Sequence, residues 1–345
     1  MKTTQPWLAN PVIESVFIIL PMILPVAAVL IFRDYFTTHE VSTLWWVILV
    51  LCIDVSHVYS TLFRLYWDRQ TFQAHKRLLV IIPIVGFFIA IGMHLYDAML
   101  FWRILAYIAV FHFVRQQYGF MRLYARKETH NKWRNSIDAI AIYTATLYPL
   151  LHWHMVGTDK IAWFVKGDFL RINLDSYDSF LAASYYVVIG IYVIKELVMV
   201  VKLRSFNIPK NLIIAGTFLS WYFGIVAFQG DLIFTLLNVV AHGIPYMALI
   251  WIYGAKKTSG SFTFGIKGAL TFVAVLLMLA YFEENLWDNF VWNDHPGVFI
   301  PLADGAIENP YMLSCLVALL ILPQVTHYVL DGFIWRFSKD PHSRF

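Results

Sequence analysis

Apolar residues dominate the chain from end to end, and short polar interruptions cut them into stretches of similar length. Ten such stretches read as helices: 12–32, 41–63, 78–96, 98–120, 136–156, 179–203, 210–229, 232–254, 265–281 and 311–335. Each is close to the ~20 residues that a helix needs to cross the hydrocarbon core of a bilayer. The expected fold class is therefore all-α: a polytopic transmembrane helical bundle of about ten spans. No internal repeat, low-complexity tract or soluble-domain linker breaks it, so residues 1–345 read as a single transmembrane domain.

Composition agrees with that pattern. Of the 345 residues, 59% are hydrophobic and only 14% charged, against about a quarter charged in soluble domains. This excludes a disordered chain, a nucleic-acid-binding module and a disulfide scaffold. Cys52 and Cys315 both lie inside apolar stretches and make no disulfide framework. The first apolar stretch carries no small-residue cleavage site and reads as a retained anchor.

Charge placement then sets orientation. With ten spans, 19 of the 26 Lys and Arg fall on one side of the membrane and four on the other; Arg103, Arg115 and Lys195 lie within helices. The positive-inside rule puts the richer side, and with it both termini, in the cytoplasm. The expected location is the plasma (inner) membrane, with membrane lipids as neighbours. Two outer loops are long. Residues 157–178 hold Trp163, Phe164 and Phe169. Residues 282–310 hold Glu283, Glu284, Asp288, Asp294, Asp304 and Glu308 with Trp287 and Trp292. Both read as interfacial loops anchored by tryptophan, and the basic stretch Arg122 to Arg134 reads as positive-inside bias.

Ionisable side chains at membrane depth are expensive and point to function. Helix 2 carries Asp54 and His57. Helix 4 carries His112, Arg115 and Gln116. Helix 8 carries Asn238 and His242, and helix 10 carries His327 and Asp331. Within each helix these residues stand three or four apart, so each set shares one face. Counted from the cytoplasmic ends at ~1.5 Å per residue, His57, His112 and His327 lie about 9–12 Å deep and His242 about 18 Å. Asp54 falls in the same layer and Asp331 nearer the cytoplasm.

Neutral imidazoles with carboxylates are the ligand set of iron, zinc and manganese sites. His57, His112, His242 and His327 are the expected metal ligands, with Asp54 and Asp331 completing or orienting the shell. One ion needs three or four of them; two ions would use all six. Arg115 is suited to an anionic group. Tyr118, Asn238, Gln116, Tyr59 and Tyr246 are placed to orient ligands or donate to a bound oxygen species. Gly243, Pro245 and Pro323 loosen helices 8 and 10 beside their histidines, and such breaks often line a cavity. The competing reading is that membrane histidines serve as interhelical hydrogen bonders. His94 and Asp97 repeat the three-residue spacing at the outer end of helix 3, so spacing alone is unspecific. His152 and His154 sit at an interface. Asp138 either favours the start of helix 5 or reaches the histidine layer. His39, His75, His130, His295 and His342 read as solvated.

A histidine-rich site on the cytoplasmic side of a helical membrane protein resembles the membrane non-haem iron class: acyl desaturases, alkane and sterol hydroxylases, and membrane carotene dioxygenases. The resemblance rests on His57, His112, His242 and His327. It does not extend to the His-x-x-x-His and His-x-x-His-His boxes of desaturases, which this chain lacks, nor to their smaller number of spans. It implies one or two iron ions, an oxygen-dependent oxidation of a hydrophobic substrate such as a fatty acyl chain or isoprenoid, and an electron-donor protein. Zinc or manganese in place of iron stays open, as does haem between paired histidines. So do two other functions for the same residues: a proton-coupled transporter and a lipid-directed transferase. Nucleotide-binding glycine loops and serine-hydrolase elbows are absent from the sequence.

Overall fold

In the computed structural model, residues 5–157, 162–256, 265–295, 297–302 and 305–334 are described. The sidedness of Lys2, Lys160, Lys257, Arg336, Lys339 and Arg344, and the loop positions of Asp304 and His342, lie outside them. All regular structure among the described residues is helical. The long helices are α1 (Pro11–Ile31), α2 (Thr43–Leu65), α3 (Arg69–Tyr96) and α4 (Ala98–Lys127). They continue with α5 (Lys132–Val156) and α6 (Asp178–Leu203). The last are α7 (Ile208–Ala227), α8 (Asp231–Ala255), α9 (Ile266–Trp292), α10 (Pro310–Leu320) and α11 (Leu322–Ile334). Seven of these are long and apolar enough to cross a membrane, and α10 with α11, bent by 42°, makes an eighth if the pair is one span. The chain therefore has the make-up of an integral membrane protein.

Helix starts follow local chemistry. Asn10 caps α1 by accepting from the Val12 and Ile13 amides, with Pro11 at the first helical position. Asp68, Asn131 and Asn207 cap α3, α5 and α7 in the same way. Two helices differ from expectation. The apolar part of α9 ends at Tyr281, but the helix runs on to Trp292. Glu283, Trp287 and Asp288 are thus buried helical residues rather than parts of a loop. His75 belongs to α3, which kinks there (φ −120°, ψ 17°).

The fold divides into two compact units, and α4 and α8 each contribute to both. The first comprises residues 1–40 and 110–245. In it α7 packs on α1 and α5, and α5 on α6. The approach of α7 to α1 is close: a Cβ on Gly216 would meet Met22 Cβ at 2.8 Å. Glu14, fully buried, ties down the segment before α1 by accepting from the amides of Leu8, Ala9 and Asn10 and from the Tyr124 hydroxyl.

The second unit comprises residues 41–109 and 246–345. Here α3 packs on α10 and α11, and α2 on α9 and α11. Leu65, Leu79 and Leu330 form one core cluster, and Tyr246, Ile250, Phe272 and Leu276 another. Two π-helical stretches adjoin buried histidines: Val47–Val55 ends just before His57 in α2, and Thr235–Val239 lies just ahead of His242 in α8. Such segments are uncommon and concentrate at functional sites.

Candidate functional site

Each unit holds a pair of buried histidines whose rings meet edge to face. In the second, His57 of α2 and His327 of α11 are 1% and 0% exposed, with ring centroids 5.0 Å apart and the rings edge to face. One ring nitrogen of each lies within 4.8 Å of the other. Tyr246 packs edge-on against both rings. A hydrogen-bonded chain leads away from His327. Its Nδ1 is 2.7 Å from the Thr61 hydroxyl, which is 3.2 Å from the Tyr246 hydroxyl, which donates to Asp331 at 2.6 Å.

The chain has a direction. The Asp331 carboxylate only accepts, so Tyr246 donates to it and must accept from Thr61. Thr61 has one proton and has spent it on Tyr246, so it accepts from His327 Nδ1–H. That fixes the tautomer and places the imidazole lone pair on Nε2. A hydroxyl or carboxylate holding the far nitrogen of a ring is how ligating histidines are oriented.

Asp331 therefore stands at the end of a relay to His327, two hydroxyls removed from the ring. Asp54 lies 3.6 Å from His57 Nδ1, beyond hydrogen-bond length. The π-helical stretch places it there. Sequence reasoning missed Glu283, because the hydropathy pattern ended α9 early. Its buried carboxylate accepts from Tyr59 at 2.5 Å, Trp287 at 3.2 Å and Gln324. Tyr59 and Gln324 lie two and three residues along their helices from His57 and His327.

In the first unit, His112 of α4 and His242 of α8 are 4% and 0% exposed, again with ring centroids 5.0 Å apart and edge to face. Their nitrogens meet the same 4.8 Å limit. Phe113 stacks flat on His242 at 3.6 Å. Gln116 donates to the His242 carbonyl, and the buried Asn238 donates to the Phe234 carbonyl. The loop ahead of α6 does more than sit at an interface. Trp163 reaches Phe113 at 4.9 Å, and Phe169 packs on Trp153. The loop thus roofs the His112–His242 pair with aromatic rings. Asp168 shapes it by accepting from the amides of Trp163, Phe164 and Val165.

Arg115 and Tyr118 fall elsewhere. Arg115 is exposed, donates to the Tyr143 hydroxyl and stands over the Tyr118 ring, which stacks on Tyr143. Asp138 does not reach a histidine layer. It is fully buried among Lys195, Glu196 and Lys210, and Glu128 also pairs with Lys210, at 3.0 Å. Lys210, expected at the cytoplasmic surface, is 2% exposed. Sequence reading could not assemble this cluster, since its members come from α5, α6, α7 and the turn after α4.

Two of the remaining histidines have simple roles. His94 bonds to Ser314 at 2.7 Å and His152 pairs with Asp178 at 2.8 Å, as interhelical packing requires. No protein-family model, curated protein or solved structure matches the chain.

Proposed function

We propose that the chain is a membrane-embedded metal-dependent oxidoreductase in which His57, His112, His242 and His327 hold one transition-metal ion, iron in our reading. The observation that carries this is the His57–His327 pair: two buried imidazoles within ligand distance of a common atom, one with its lone pair oriented by the Thr61–Tyr246–Asp331 relay. A pair supplies two donors, whereas a stable site takes three or four. Four imidazoles complete one set, and the similar depth the sequence gives to His57, His112 and His327, with His242 somewhat deeper, supports the sharing. Neutral nitrogen donors suit iron, zinc, copper and nickel and are poorer for manganese, which favours oxygen. Haem between the members of a pair is disfavoured, because rings edge to face at 5.0 Å leave no layer for a macrocycle.

When bound, iron would supply one-electron and oxygen chemistry. The protein's own groups do the rest. The relay keeps the His327 proton on Nδ1, and Phe113 with Trp163 keeps water from His242. In this reading ten helices span an inner membrane with both termini cytoplasmic, α5 and α6 included. The oxidised substrate is a hydrophobic lipid-like molecule.

Elemental analysis with a visible and electron-spin spectrum of the purified protein tests this. We expect about one iron per chain, lost in both His57→Ala and His242→Ala, one residue from each unit. Absence of stoichiometric metal, or undiminished metal in both variants, overturns the site. Stoichiometric zinc overturns the redox role. A proton-coupled transporter has one observation in its favour, the 42° break at Ile321 beside His327. Flux into proteoliposomes that depends on pH and on His327 in metal-free protein would select it.

A further inference from the structure

The bend between α10 and α11 opens a cavity. Pro323 has no amide hydrogen to give the Leu319 carbonyl, and the helix axis turns there by 42°. Beside the bend lies a space of about 350 Å³ bounded by α2, α3, α10 and α11. Its mouth is apolar. Leu319 at the rim is 55% exposed, and Leu62, Pro83 and Leu322 form the walls. Its inner end is polar and buried: Thr61, Thr326 and His327 are 4%, 7% and 0% exposed. The volume falls at the small end of the range for small-molecule sites, roughly 300–1,000 Å³.

A second cavity in the same unit gives the contrast. It has about 330 Å³ between α3, α4 and α11, with Ile321 of the bend, and its lining, including Ile81, Val85, Met93, Phe101 and Val329, is apolar throughout. Any hydrocarbon fills such a space without preference. The first cavity is different because its inner end is an imidazole and two hydroxyls.

We infer that the cavity at Pro323 receives a single hydrocarbon chain of a membrane lipid, entering sideways from the bilayer past Leu319 and lying with a carbon against His327. The proposal rests on the reading of His327 as part of the reacting centre. The occupant is chosen by three features together. Leu62, Pro83 and Leu322 make apolar walls, Leu319 at the rim is exposed on a helix apolar enough to lie in a bilayer, and about 350 Å³ suits one hydrocarbon chain rather than a whole lipid.

Photolabelling separates this from ordinary lipid contact. The full-length protein is placed in phosphatidylcholine vesicles containing a lipid with a mid-chain diazirine, and adducts are mapped by mass spectrometry. Label is expected on the 319–327 and 58–66 peptides. Leu322→Trp, and Leu62→Phe as a second filling variant, should each lower it at least fivefold. Labelling at Phe88, an α3 side chain 66% exposed, should not change, nor should metal content. Labelling at 319–327 that the filling variants do not reduce overturns the inference, as does no labelling above that at Phe88. The metal reading fails separately: filling-sensitive label in a protein without stoichiometric metal supports the chain site and sinks the oxidoreductase.

Discussion

Around Asp138 the protein meets burial with formal charge; around His327 it meets burial with neutral groups. Lys195 and Lys210 face the carboxylates of Asp138, Glu196 and Glu128, and the neighbours extend the pattern. Asn211 donates to Glu196 at 2.9 Å, Asn207 to Glu128 at 2.7 Å, and the Lys195 ammonium stands 4.6 Å from the Tyr192 ring. Each charge is countered at contact distance, and the network joins three helices. The His327 chain contains one carboxylate, at its far end, and its other members are an imidazole and two hydroxyls. A closed ionic network holds helices in register. A neutral chain that orients an imidazole is the arrangement the proposed metal site calls for.

Removing one charge should break the comparison most visibly. Asp138→Ala leaves Lys195 without one of its two carboxylate partners, and deleting one member of a buried ion pair costs about 3–5 kcal/mol. Thermal unfolding in detergent should show that loss, while metal content per folded chain is unchanged. Asp138→Leu combined with Lys195→Met should recover much of it, because both charges leave together. An additive double variant would show that the two groups do not act as a pair.

Next in size is the relay. Thr61→Val keeps the shape of the side chain but removes the hydroxyl between His327 and Tyr246. Loss of such a ring-orienting partner typically weakens metal affinity by roughly 10–100-fold, and the lost hydrogen bonds cost about 1 kcal/mol in stability. Chelator competition measures the first and unfolding the second. Thr61→Ser should restore affinity. If Thr61→Val holds metal as tightly as the parent, the relay does not set the His327 tautomer.

Much of this architecture was legible in the sequence, for identifiable reasons. Hydropathy located the helices because the bilayer imposes one length on every span; α1 falls at 11–31 against an expected 12–32. It failed at α9, where Glu283, Trp287 and Asp288 look like loop residues until their buried partners are seen. The histidines stood out because an ionisable group in an apolar stretch is conspicuous on its own. Thr61 did not, since a threonine in a membrane helix carries no such signal and its role exists only through Tyr246 and His327. The Asp138 cluster was hidden for a related reason. Lys210 read as a charge at a helix start and Lys195 as a lone charge within a helix, and pairing across four chain segments has no sequence period. The π-helical stretches before His57 and His242 leave no mark that residue spacing can detect.

Asp168 lies between the two regimes and gives the smallest and most specific test. It is a fully buried acid whose Oδ2 takes three amide hydrogen bonds, while Oδ1 has no hydrogen-bond partner among the described residues. No lysine or arginine among the described residues answers it as Lys195 and Lys210 answer Asp138. Burial raises its pKa above the usual aspartate value, and the backbone amides that favour the anion only partly offset this. Because the docked loop has the higher pKa, its contribution to stability is full below the undocked value and is lost as pH rises through the docked one. The roof that Trp163 lays over Phe113 should therefore be tightest in acid and loosen as pH rises. Hydrogen exchange of the 163–170 amides, followed across that range, reads the change directly. Asp168→Asn keeps one carbonyl acceptor for the amides but cannot ionise, so its exchange should hardly vary with pH once the intrinsic chemical rate is divided out. An equal pH slope in Asp168→Asn would place the titrating group elsewhere and remove Asp168 as the control of the loop.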